Sequence, residues 1–381
     1  MRTKFTIIFI CIILLYSTIS NSFSVCAIEQ ELSKCYVLIE ANSKVIISSN
    51  SEEKIVPVGV MTKLMTIYII AEEIEQNKLS VNDILKTSEN ANSTKGATIW
   101  LMPNEEITVD ELLKAVIIGN ANDASIVLAE KISGTEEKFT EKMNETAQKL
   151  GMFNTTFTNC NGFYNDDKQL STAYDLALLC SELSKYKFLQ DYFTCWRDYV
   201  RNEQTELVNL NDLIKSYKGI IGFKTGFTEN SGYCTAAAAE RDGTTYIAVT
   251  LGYKEKSDSM AKAKVLLDTA FSQYKVVTPK LPENIPSEII VKGGLSKSVP
   301  IEHEKIRNVV LPNNALNSVS SKIIITDYVY APVKKGYKVG ELQFFRNDKL
   351  MFYVDIVTKE DIDKTNVVKA LNILLKNLLT F

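Results

Sequence analysis

The chain has 381 residues, 45% of them hydrophobic and 23% charged, which fits a folded protein of more than one domain and excludes a disordered or fibrous one. With 43 basic against 46 acidic residues the formal charge is -3, and no basic tract stands out, so nucleic acid is not expected as a partner. The single histidine, His303, lies between Glu302 and Glu304 and reads as a solvated side chain, which excludes two-imidazole chemistry, most zinc sites and Ser-His-Asp catalysis.

Arg2 and Lys4 precede an apolar run over residues 5–16, and Val25-Cys26-Ala27 gives a small-x-small cleavage pattern. Residues 1–27 therefore read as a secretory signal peptide. The run is shorter than the roughly 20 residues of a spanning helix, which disfavours a retained anchor. Beyond it lie Cys35, Cys160, Cys180, Cys195 and Cys234. Their number is odd and their spacing holds no CxxC pair, so they are expected as small, mostly buried apolar residues and no metal or cofactor is implied.

Residues 35–49 predict two strands around a turn at Ala41-Asn42-Ser43-Lys44. Pro57 then introduces a helix over 61–75, with Leu64, Ile67, Tyr68 and Ala71 as its apolar face. Helices follow over 109–118, 121–132, 136–150 and 172–185, the last opened by Ser171. Strands are expected over 221–225, 232–239 and 245–251, with a closing helix over 260–274. This is an α+β domain, assigned to residues 28–275. After Tyr274 prolines separate Val/Ile-rich alternating runs, and residues 276–362 read as a small β domain with strands at 287–291, 322–330 and 350–357. Residues 363–381 form an amphipathic helix, with Val368, Leu371, Leu374, Leu375, Leu378 and Leu379 on one face, to be docked on the protein or laid on a membrane surface.

Three short segments carry chemistry together: Pro57 to Thr66 (PVGVMTKLMT), Asn120 to Glu130 (NANDASIVLAE), and Gly222-Phe223-Lys224-Thr225-Gly226-Phe227-Thr228 followed by Ser231-Gly232-Tyr233-Cys234. Taken together they resemble the motifs of the low-molecular-mass penicillin-binding proteins, the serine-type D-alanyl-D-alanine carboxypeptidases. The resemblance spans roughly residues 35–275 and continues more loosely into the β domain at Ala331 to Gly336. It implies a penicillin-binding-protein/β-lactamase-like transpeptidase domain with a small C-terminal β domain. It also implies an extracytoplasmic protein of peptidoglycan metabolism whose partner is a stem peptide ending in D-Ala-D-Ala.

In that family the nucleophilic serine and a lysine are three apart on one helical face, an SxN motif supplies a second hydroxyl and an amide, and the KTG strand docks the peptide and holds its carboxylate. This chain keeps Lys63 and Asn122 as candidate catalytic residues and Lys224, Thr225, Gly226 and Phe227 as candidate substrate-binding residues. It has Val60 at the nucleophile position and Asn120 at the second-serine position. Valine carries no nucleophilic atom and asparagine no hydroxyl, so the covalent route is closed. Thr62, about 200° from Val60 around a helix, points the other way and does not replace it. The expectation is a catalytically impaired homologue that binds stem peptide, a wall-synthesis partner or a β-lactam noncovalently. The alternatives are an active carboxypeptidase with Lys63 as base and a nucleophile from outside the motif, and a structural module whose β domain or tail does the binding. Asn120 and Asn122 also suit helix N-caps.

Overall fold

The computed structural model describes residues 34–163, 168–366, 368 and 371. Residues 1–27, expected as a signal peptide, lie outside the described residues, as do most of residues 363–381, expected as an amphipathic helix. Strands β1 (Cys35–Glu40) and β2 (Ile46–Asn50) form the expected hairpin. At its turn the Glu40 carboxylate accepts hydrogen bonds from the amides of Asn42 and Ser43, at 3.2 and 2.7 Å. The helical middle follows as α1 (Thr62–Glu75), α2 (Val109–Ile117), α3 (Asn122–Ser133), α4 (Glu136–Leu150) and α5 (Ala173–Leu183). Strands β3 (Ile220–Thr228), β4 (Gly232–Arg241) and β5 (Thr244–Tyr253) complete an antiparallel sheet of order β2-β1-β5-β4-β3, and α6 (Lys256–Gln273) closes the unit.

The period-two alternation of the strands sorts this sheet's side chains into two cores. Val37, Ile39, Ala236, Ala238, Ile247 and Val249 face the helical middle. Leu38, Ala237, Ala239, Tyr246 and Ala248 face α6, which answers with Met260, Ala263, Leu266, Leu267 and Ala270. The alanine run of β4 keeps the central strand thin where helices approach on both sides.

Three local expectations are corrected. Helix α1 has no single apolar face: every residue from Thr62 to Ala71 is buried, because α2, α3, α4 and α5 pack around it, and Lys63 is carried into the interior with them. The cap of α5 is Thr172, whose hydroxyl accepts from the Asp175 amide, while the Ser171 hydroxyl is paired with Thr155. Helix α3 starts at Asn122 without a side-chain cap, so neither Asn120 nor Asn122 serves that role.

Beyond α6 a third core gathers residues from Ile289 to Ile362, including Val299, Leu311, Leu342, Phe344 and Ile356. Its six-stranded sheet has the order β8-β10-β11-β7-β6-β9, from β6 (Glu288–Lys292), β7 (Ser298–His303), β8 (Val319–Ile325), β9 (Tyr328–Tyr330), β10 (Lys338–Arg346) and β11 (Lys349–Thr358). The single strand expected over 322–330 is two strands in different places, β8 on β10 and β9 parallel to β6. Strands β7 and β10 were not anticipated. Pro300 and three polar residues disguise β7, which changes partner at that proline, pairing with β6 before it and β11 after it. In β10 the alternation is interrupted by register shifts.

Candidate active site

A 3-10 turn, Gly59–Met61, delivers the chain into α1 and places Val60 against β3. A side chain at Gly226 would collide with Val60, and one at Gly59 (φ +48°) would meet the hydroxyls of Thr228 and Ser231. Gly59 and Gly226 therefore allow turn and strand to touch. Three residues on, the Lys63 ammonium is fully buried and donates to the Asn122 side-chain oxygen and to the Asn161 carbonyl, both at 2.6 Å. Asn122 is fixed in turn by donating to the Lys95 carbonyl at 2.6 Å from its amide group and to the Ala97 carbonyl at 2.7 Å from its backbone.

Lys224 approaches from the strand and donates to the carbonyls of Val116 and Ile117, at 2.8 and 3.2 Å, in the last turn of α2. A helix C-terminus offers unpaired carbonyls and partial negative charge, a fitting seat for a cation. Among the described residues no carboxylate bonds to either lysine. Burial pushes Lys63 down to about 7, against smaller opposing pulls from Cys160 and Asp123. Burial lowers Lys224 as well, with Lys63 adding to the effect. A charge on Lys63 thus discourages one on Lys224.

Asn120 adopts φ +58° and is 7% exposed, and its side-chain oxygen is buried without a hydrogen-bond partner among the described residues. Thr225 points away from Val60: its hydroxyl is bonded to the Cys234 carbonyl and to Thr235, which continues through Ser259 to Thr250 beneath α6. Phe227 packs on Tyr233 with the rings tilted by 39° and is about half exposed. Alternation along β3 explains the division, with Lys224 and Gly226 toward the helices and Thr225 and Phe227 on the other face. Thr62 lies against Gly162 rather than beside Val60.

Sequence reasoning missed the loop at 159–163. The Asn159 side chain accepts from the amides of Asn161 and Gly162, and Asn161 accepts from Phe163, a nested asparagine turn that aims the Asn161 carbonyl at Lys63. The Asn-Cys-Asn-Gly run was a visible turn signal, but nothing local says where the turn points. The fold also buries Cys35, Cys160, Cys180 and Cys234, as expected of small apolar residues.

Buried lysine on α1, asparagine at the start of α3 and Lys-Thr-Gly on the sheet edge together define a penicillin-binding-protein scaffold. Residues 23–255 match the family model described as D-alanyl-D-alanine carboxypeptidase, and residues 274–364 match that of the penicillin-binding protein 5 C-terminal domain. The chain belongs to the D-alanyl-D-alanine carboxypeptidase family of peptidoglycan metabolism. It is 36% identical over 343 residues to D-alanyl-D-alanine carboxypeptidase DacF of Bacillus subtilis, covering 89% of this chain and 88% of that one. To DacC of Escherichia coli it is 29% identical over 347 residues, covering 87% and 84%. Its fold is similar to penicillin binding protein 5 from Haemophilus influenzae, with TM-score 0.79 and 24% identity over 88% of this chain and 98% of that one.

Proposed function

We propose that this protein is a catalytically impaired member of its family that binds the D-Ala-D-Ala end of a peptidoglycan stem peptide, or a β-lactam, without forming an acyl-enzyme. One observation carries the reading: Val60 stands three residues before the buried Lys63 and packs onto Gly226, so the atom facing the strand is a methyl carbon. Lys63, which would accept a serine's proton, is bonded to Asn122 and the Asn161 carbonyl instead. Asn120 adds no hydroxyl. What remains is suited to holding a peptide. Strand β3 is the edge of its sheet, where an extended chain can add as a further strand, and the Lys224 amine is seated beneath that edge.

The binding unit is assigned to residues 28–275 and the β domain to 276–362. The protein acts outside the cytoplasmic membrane, exported by residues 1–27, with the tail at 363–381 available to touch the membrane surface. No helix among the described residues is long and apolar enough to cross a membrane.

The test is a fluorescent penicillin offered to the purified protein and to a Val60→Ser, Asn120→Ser double variant. The native protein stays unlabelled and the double variant takes covalent label. Label on the native protein, or release of D-alanine from a stem pentapeptide, overturns the reading and establishes an active carboxypeptidase with a nucleophile from outside the motif.

A further inference from the structure

One sizeable cavity lies away from the peptide groove. It is a cleft of about 1260 Å³ where the β1–β2 turn faces the C-terminal β sheet. Four cations line it: Lys305 and Arg307 on the segment before Val309, and Arg346 and Lys349 at the β10–β11 turn. None of the four forms an ion pair with a carboxylate among the described residues. Glu40 is the one carboxylate in the lining, and its oxygens are already taken by the amides of Asn42 and Ser43. Arg307 is held over the Phe352 ring at 4.2 Å, which fixes its plane and leaves its N–H edge free for a ligand. The Arg346 side chain also lines the cleft, and its Nε, buried behind the wall, has no hydrogen-bond partner among the described residues.

Four cations gathered in one concavity of a chain with net charge -3 is a cost in self-repulsion that an anion would remove. We propose that this cleft binds a soluble, chain-like polyanion carrying phosphodiester or carboxylate groups. Guanidinium forks match both groups in bidentate geometry. The volume and the spread of cations over two segments suit several charged units in a row rather than one small ion. A bilayer is flat and does not enter a concave cleft, so a lipid surface is disfavoured. The proposal is independent of whether the peptide groove has lost its chemistry.

The experiment measures binding of the full chain to oligomeric poly(glycerol phosphate) and to oligogalacturonate, with uncharged dextran and phosphatidylglycerol vesicles as controls. At least one polyanion binds, more weakly as salt is raised because screening shortens the reach of the cations. An Arg307→Gln, Arg346→Gln double variant loses about tenfold or more in affinity, as expected for removal of two charge-assisted contacts. The exposed pair Lys305→Gln, Lys349→Gln weakens binding too, and decides the matter alone if the arginine variant melts early. A preference between the polymers identifies the anion as phosphodiester or carboxylate. The proposal falls if neither polymer exceeds dextran, if both double variants bind as the native chain does, or if the vesicles bind and the polymers do not.

Discussion

Lys63 is the residue whose chemistry most depends on its surroundings. Burial holds it near 7 against an ordinary 10.5, so between those values the unfolded chain carries more bound protons than the folded one. The stabilising contribution of its neutral form is complete above the unfolded value and is lost as pH falls through about 7. Thermal denaturation of the native protein therefore shifts upward as pH rises from about 7 to about 10, and the shift is smaller in Lys63→Met. An equal shift in both proteins would contradict the burial argument. Gly162 makes a second case: its φ is +72°, and a side chain there would collide with the Gly59 carbonyl at the turn that presents Val60. Gly162→Ala should cost about 1–3 kcal/mol in chemical denaturation, the range for forced overpacking.

At the scale of elements, α2 matters because its final carbonyls seat Lys224. Its start is fixed by a capping box, the Thr108 hydroxyl accepting from the Glu111 amide while Glu111 reaches back to Thr108. Thr108→Ala should destabilise the protein by about 0.5–2 kcal/mol, measured by urea denaturation. The helices were legible in the sequence because each carries a 3.6-residue pattern and polar ends. The all-round burial of α1 was not, since Thr62, Lys63 and Thr66 look like a polar face until the neighbouring helices enclose them. Strands β7 and β10 were missed for the opposite reason: their pairing depends on partners distant in sequence and survives Pro300 and a bulge that blur the local pattern.

For the whole molecule, the cores on either side of the first sheet and the core of the C-terminal sheet are built from separate residues. Between them, residues 278–287 form no helix or strand and carry Pro279, Pro282 and Pro286. Limited trypsin treatment should cut first after the exposed Lys280, giving two fragments. First cleavage inside α1 to α5 would show that the cores do not unfold as separate units. Strand Tyr274–Val277 pairs with Val309–Pro312 across this segment, so the fragments should remain associated until denatured.

The sequence by itself determined the family, through three motifs whose spacing reports one scaffold, and it determined what stands at positions 60 and 120, because a side chain's possession of a hydroxyl is a covalent fact. It determined the α+β order and most helices, which depend on neighbours three and four residues away. Only the tertiary structure decided that Lys63 rests on the Asn161 carbonyl, that Thr225 turns from the groove to a hydroxyl chain beneath α6, and that four cations from two segments share one cleft. Each of these joins residues far apart in the chain or depends on the face a strand presents, and such distances are set by packing, not by spacing along the sequence.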